Sequence, residues 1–212
     1  LWSRGISHLD AVAITHAHSD HVGGMASVVE NFHPRELWIG QESHDPEVAN
    51  LMKVAKDLGL GIIPRHTGDK FALGEANFAV LAPDRKPATR VRAQNDESLV
   101  LRVSYGATSL VLEGDAEKPT EQKIAREIEG ADLLKVAHHG SATSTIPELL
   151  DAVHPRFAVI SVGSHNSYGH PRREVLQRLQ TAKVSTFRTD MDGAVTFYLD
   201  GKTVTSRLAA LR

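Results

Sequence analysis

The chain has 212 residues, 41% of them hydrophobic and 24% charged, with a net charge of −2, no cysteine and 12 histidines. That length suits one generous domain or two small ones with ample core, and the absence of cysteine removes disulfides, thiolate zinc sites and cysteine nucleophiles together. No run of 18 apolar residues is present to span a bilayer, and the net charge argues against coating nucleic acid by bulk electrostatics, though not against a local basic rim.

Residues 9–15 are an apolar run that predicts a short buried strand ending at His16. His16, His18, Asp20 and His21 then fall within six residues, and the small and apolar residues 22–29 predict a helix. The four side chains therefore sit on a strand-to-helix turn, where α/β proteins place their chemistry. Neutral imidazoles and a carboxylate suit Zn²⁺, Mn²⁺ or Fe, and clusters this close can share a bridging ligand and hold two metals. The plainer alternative is four solvated loop residues. Residues 36–40 predict a second strand. Residues 46–58, with Val48, Leu51, Met52, Ala55 and Leu58 at helical spacing, predict an amphipathic helix closed by Gly59. A strand at 61–64 follows, then a hairpin of 71–73 and 77–81 around Gly74 and Glu75. The segment 83–94 carries Arg85, Lys86, Arg90 and Arg92 without hydrophobic period. It reads as a basic loop, either a solvated connector or a rim for phosphate contacts.

The second half repeats the pattern. Residues 99–105 alternate as a strand, and 109–112 form its partner, which delivers Glu113, Gly114 and Asp115 at its end. Pro119 opens a helix to about residue 128. The apolar strand 133–137 ends in His138-His139-Gly140-Ser141. Thr145 as N-cap starts a helix to residue 153, 157–162 is a buried strand, and 163–171 is a polar loop with Asn166, Tyr168 and His170. A helix at 173–182 leads to strands near 186, at 194–199 and at 202–208, the last two joined at Asp200-Gly201.

These residues support a resemblance. His16-x-His18-x-Asp20-His21, with Gly114-Asp115 and a later histidine at strand ends, is similar to the metallo-β-lactamase superfamily. Four further stretches resemble the soluble domain of ComEC-type DNA-uptake channel proteins: Asn95-Asp96-x-Ser98-Leu99-Val100, Lys135-x-x-His138-His139-Gly140-Ser141, Tyr168-Gly169-His170-Pro171 and Thr189-Asp190-x-Asp192-Gly193. The likeness covers nearly the whole chain. It implies an α/β fold of the αββα four-layer sandwich type, here a single domain over 1–212 that is a fragment of a larger protein and lacks the first N-terminal strands of the family.

The resemblance also implies two divalent ions, Zn or Mn, roughly 3.5–4 Å apart. His16 and His18 would hold one and Asp20 and His21 the other, with Asp115 bridging. The histidine pair would supply the last ligand, His138 favoured and His139 as orienter or substitute, because adjacent strand residues point to opposite faces. The further histidine that usually completes the first site has no match. Gln94, Asn95 and Asp96 stand in its place, and amide or carboxylate oxygens suit Mn²⁺ or Mg²⁺ better than they replace imidazole on Zn²⁺. Asp20 and His170 are the catalytic candidates, Asp20 orienting the nucleophile and His170 serving the leaving oxygen. Asn95, Asp96, Ser141, Ser144, Tyr168 and His170 are candidates for substrate binding. Ser141, Thr143 and Ser144 precede a helix N-terminus, which suits either an anion or simple capping.

The implied activity is phosphodiester hydrolysis, as a nuclease degrading the DNA strand that is not imported during transformation. The alternatives are hydrolysis of a small phosphodiester or other ester, or a catalytically silent metal-binding module. DNA is the implied substrate. A membrane channel portion of the same polypeptide would be the partner, placing the domain on the periplasmic or extracellular face of an inner membrane. The remaining histidines predict surface or structural positions, and Trp2 and Trp38 predict core or edge positions.

Overall fold

The computed structural model describes residues 1–85 and 95–208. Lys86, Arg90, Arg92 and Gln94 of the predicted basic loop and first-site region lie outside them. Strands β1 (Ala11–Ile14), β2 (Glu36–Ile39) and β3 (Gly61–Pro64) form a parallel sheet in the order β1-β2-β3. Parallel strands need covered faces and crossover helices, and α1 (Ser19–Val22), α2 (Met25–Phe32) and α3 (Pro46–Asp57) supply both. Val12, Ile14 and Leu37 of the sheet pack with Val22, Val29, Val48 and Leu51 of these helices. The start of α3 is set chemically, since the Asp45 carboxylate accepts from the Glu47 N–H and Pro46 occupies the first turn.

A second sheet runs β10-β9-β8-β7-β6-β5-β4. Its strands are β4 (Lys70–Leu73), β5 (Ala76–Ala82), β6 (Val100–Tyr105), β7 (Thr108–Leu112), β8 (Leu133–Lys135), β9 (Phe157–Ile160) and β10 (Ser185–Arg188). Pairing is antiparallel from β4 to β7 and parallel from β7 to β10. Helices α4 (Lys118–Ile124), α5 (Pro147–Val153) and α6 (Arg173–Thr181) cover one face, where Val111, Leu134, Ala158 and Ile160 meet Ile124, Leu149, Val175 and Leu179. The other face meets the first sheet through Trp38, Val80, Leu99 and Leu101, with Phe71 and Phe78 stacked 5.0 Å apart beside Trp38. The result is helix, sheet, sheet, helix, the expected αββα sandwich. After α7 (Thr189–Asp192), the hairpin of β11 (Val195–Leu199) and β12 (Val204–Leu208) sets Phe197 against Phe157 and Phe187.

Several expectations shift. The single helix predicted over 22–29 is two, α1 and α2, separated by Gly23-Gly24, where the lack of side chains weakens helix continuation. The strand predicted over 133–137 stops at Lys135, and residues 137–140 form a tight turn instead. Thr145 is not the cap of α5. Ile146 holds that position with no side-chain cap, and the free N–H groups of Thr145 and Ile146 are taken by Glu121. Trp38 is buried as expected, but Trp2 is exposed, touching Phe32 with its ring.

Leu134 sits fully buried on β8, an inner strand of the parallel half. Leu134→Ala is expected to cost about 2–5 kcal/mol, because a cavity there cannot collapse between sheet and helices. Urea denaturation reads this directly, and a loss below about 1 kcal/mol would contradict a close-packed layer.

Candidate metal centre

The ends of β1, β7 and β8 converge on one edge of the sandwich. Thr15, just past β1, places its hydroxyl 3.0 Å from His16 Nδ1 and 3.1 Å from His21 Nδ1, while Ser98 Oγ lies 3.3 Å from His16 Nδ1. These hydroxyls engage the Nδ1 side of both rings, which turns the Nε2 atoms inward. His16 Nε2 stands 2.9 Å from His18 Nδ1 and 3.9 Å from Asp115 Oδ2.

Asp115 reaches the same point from β7. Gly114 before it adopts φ +55°, and a Cβ there would lie 2.8 Å from Thr15 Cβ and 3.0 Å from Ser98 Cβ. Only glycine lets the two strand ends approach this closely in that conformation. The Asp115 N–H donates to Ser98 Oγ, so one hydroxyl braces both the aspartate backbone and the His16 ring. Asp115 Oδ2 lies 3.2 Å from His21 Nε2 and 3.7 Å from His139 Nε2, and Asp20 Oδ2 lies 3.4 Å from His139 Nε2.

Asp20, His21, Asp115 and His139 each offer a ligand atom within 4.8 Å of the others. His21 Nε2, His139 Nε2 and Asp115 Oδ1 are buried without a hydrogen-bond partner. Buried polar atoms are rarely left so, and lone pairs facing one another fit a divalent cation. Burial raises the Asp115 pKa, but the close approach of the His21 ring and the other surrounding imidazoles outweigh it and hold the carboxyl well below the usual range. Burial, then His21, lowers His16 to about 4. The carboxylate is charged and that imidazole neutral at pH 7, the protonation states metal binding requires.

The histidine pair divides in a way strand alternation does not anticipate. His138, His139 and Gly140 all have positive φ, 47°, 53° and 82°, so the pair sits on a left-handed turn rather than a strand. His139 donates from Nδ1 to the Ser161 carbonyl at 2.7 Å, which in the neutral ring places the lone pair on Nε2, the atom that faces Asp20 and Asp115. His138, the sequence favourite, points elsewhere, with Nδ1 3.3 Å from Glu117 Oε1.

The other candidates separate by surroundings. Asn95 stands beside His138 and Glu117, whereas the Asp96 carboxylate accepts from the Glu117 N–H and ties its segment to the start of α4. Ser144 is fully buried and donates to the Ala137 and Ser141 carbonyls, so its hydroxyl braces the histidine turn. Ser141 is also buried and pairs with Thr143. The helix N-terminus behind them already holds the Glu121 carboxylate. His170 lies 5.8 Å from the His138 ring and stacks on exposed Tyr168 at 5.9 Å, with its backbone clamped at both ends by Asn166. Burial, then His138 and Arg172, lowers its pKa. Thr15 and Glu117 carried no sequence signal, and Ser98 stood within a quoted motif without a role. Their importance lies in contacts across the fold, which spacing does not encode.

Comparison with known proteins matches this architecture. The family model described as a beta-lactamase superfamily domain matches residues 3–159. ComE operon protein 3 of Bacillus subtilis is 34% identical over 200 residues, covering 93% of this chain and 25% of that protein. Recombination protein 2 of Haemophilus influenzae is 31% identical over 188 residues, covering 88% and 22%. This chain thus spans about a quarter of the length of these relatives. Among solved structures, the metallo-β-lactamase fold protein YhfI of Bacillus subtilis aligns with TM-score 0.53 at 16% identity, covering 85% of this chain and 74% of that one. CmlA, a diiron β-hydroxylase of Streptomyces venezuelae, aligns with TM-score 0.59 at 15% identity, covering 86% and 44%.

Proposed function

This chain belongs to the metallo-β-lactamase superfamily, and from that premise we propose that it is a two-metal phosphodiesterase acting on DNA. The observation that carries the reading is the convergence of buried, unpartnered His21 Nε2, His139 Nε2 and Asp115 Oδ1. Asp20, His21 and His139 would hold one divalent ion, His16 and His18 the other, and Asp115 would reach both. Zn or Mn fits the nitrogen and carboxylate donors. Ions held there supply Lewis-acid polarisation of a phosphoryl oxygen and activation of water near neutral pH.

The chain's own residues do the rest. Thr15 and Ser98 fix the rings of His16 and His21, and Ser161 fixes His139, so the donor set is organised before binding. Asp20, the most exposed member, faces solvent and orients water by accepting its hydrogen bond. His170, neutral at pH 7 through its lowered pKa, hydrogen-bonds the substrate at the leaving oxygen.

The choice of DNA rests on the resemblance to ComEC-type DNA-uptake proteins, which the similarity to ComE operon protein 3 and to Competence protein ComA of Neisseria gonorrhoeae supports. In that setting the reaction is degradation of the strand not imported, beside a membrane channel portion of the same polypeptide on the outer face of the inner membrane. Among the described residues no helix is long and apolar enough to cross a membrane.

The test supplies Mn²⁺ or Zn²⁺ to the wild type and to Asp20→Ala, with labelled single- and double-stranded DNA and with bis-p-nitrophenyl phosphate. Turnover of DNA that the substitution lowers by about a hundredfold or more supports the nuclease. Cleavage of the small ester alone would replace DNA by a small phosphodiester, and no turnover of either by the folded protein would sink the enzyme reading.

A further inference from the structure

The loop that follows β9 sets two rings beside the histidine turn. The His170 ring lies 5.8 Å from that of His138, and the Tyr168 ring lies 5.9 Å from that of His170, inclined to it by only 14°. Tyr168 is nevertheless 73% exposed, more than any other large apolar side chain among the described residues. Its aromatic area is therefore not spent on the core. Arg172 closes the same loop. Its guanidinium packs over Gly169, where a Cβ would lie 3.4 Å from Nη1, and it has neither an ion-pair nor a hydrogen-bond partner among the described residues. Arg188, by contrast, is engaged by Asp190.

This loop is fixed to the turn that aims His139. The Arg172 N–H donates to the Gly140 carbonyl at 2.8 Å, and a Cβ on Gly140 would lie 2.6 Å from Pro171 Cβ, so loop and turn close directly on each other. Asn166 accepts from the His170 N–H and donates to the Gly163 and His170 carbonyls. Thr189, at the start of α7, accepts from the Val162 N–H and donates to its carbonyl. Gly169 between the two rings takes φ +67°, a turn that glycine makes without strain. An open ring and an unpaired guanidinium are thus held in place next to the metal donors before any substrate arrives, and little ordering cost remains for binding.

We propose that Tyr168 and Arg172 form a nucleotide subsite beside the metal centre, the Tyr168 ring stacking on a base of a single-stranded polynucleotide and the Arg172 guanidinium pairing with a phosphate next to the one cleaved. The inference rests on the DNA reading and makes it more specific. An aromatic face accepts any base that is free of its own stack, so the contact favours a single strand or an opened end. A guanidinium grips two phosphate oxygens at once through its planar fork. A small phosphodiester has no second phosphate to offer it. With His170 serving the leaving oxygen, these two neighbours select what flanks the scissile bond.

Steady-state kinetics with Mn²⁺ test this on oligothymidylate, on a polymer of the same length whose sugars lack bases, and on methyl p-nitrophenyl phosphate. The wild type is expected to show a KM about tenfold lower for oligothymidylate than for the base-free polymer. Tyr168→Ala is expected to abolish that preference and Tyr168→Trp to keep it. Arg172→Ala is expected to lower the slope of log KM against log salt by about 0.7 for both polymers, the release of one counterion from a single strand. Each preference is a ratio within one variant, so a general loss of activity cannot mimic the result. A wild type that cleaves both polymers alike, or a Tyr168→Ala that keeps the preference, overturns the stacking while the DNA reading stands. An unchanged salt slope removes Arg172 from the subsite. Turnover of the small ester with neither polymer overturns the DNA reading and the subsite together.

Discussion

Asp115→Asn is expected to lower kcat/KM for DNA and for bis-p-nitrophenyl phosphate by about a thousandfold or more, equivalent to roughly 4 kcal/mol of transition-state stabilisation. Among the described residues, Asp115 is the one carboxylate whose oxygen lies within 4 Å of three imidazole nitrogens, those of His16, His21 and His139. An amide keeps the shape and offers one oxygen, but it removes the negative charge and turns an N–H₂ toward lone pairs that must face a cation. Bound metal is expected to fall with activity. The fold should hold, since the Asp115 backbone is braced by Ser98 whatever the side chain. Activity within about tenfold of wild type in a folded variant would contradict the assignment of Asp115.

A second large effect, on stability, is expected at Glu121, a fully buried carboxylate that accepts from the Thr145 and Ile146 N–H groups at 2.6 and 2.8 Å. It does the work of a cap for α5 from another element and anchors the segment after the histidine turn. Glu121→Ala leaves two buried donors unpaired and is expected to cost about 2–4 kcal/mol in urea denaturation. Equal stability would contradict that role. A pH signature accompanies it, because burial pushes Glu121 up to about 7 against the opposing backbone bonds. A carboxyl raised on folding contributes stability that is complete below its unfolded pKa and is lost as pH rises through the folded value. The contribution is about 3 kcal/mol at most and fades between about pH 4.5 and 7. His16, lowered to about 4, works in the opposite sense between about 4 and 6.5. The informative quantity is therefore the difference between wild type and Glu121→Gln, which should lose this downward slope between about pH 4.5 and 7.

Much of the architecture was legible along the chain. The apolar runs of β1 and β9, the helical period of α3 and the hairpin at Gly74 depend on local pattern, and each lies within a few residues of its expected place. The errors have physical causes. Apolar residues 136 and 137 extend the pattern of β8, but the backbone turns left-handed at His138, whose N–H donates to the Gly114 carbonyl, and Gly140 at the end of the turn closes against Pro171. Thr145 resembled a cap by type, yet a distant glutamate supplies the acceptor. Ser144 resembled an anion ligand, yet its hydroxyl is consumed by two carbonyls.

The sequence by itself determined the donor inventory and the family, because a strand-end His-x-His-x-Asp-His run demands a strand-to-helix turn and imidazoles dictate which cations fit. Alternating strands and amphipathic helices pointed to a layered α/β domain, and the αββα order followed from the family resemblance. Only the tertiary structure decided which histidine of the pair faces Asp20 and Asp115, which hydroxyls lock the rings, and that Glu117 gathers Asn95, Thr143 and His138 around one oxygen. Those contacts join residues as far apart in the chain as Asp20 and His139. They arise from the meeting of strand ends at one edge of the sandwich, a property of packing that no local spacing carries.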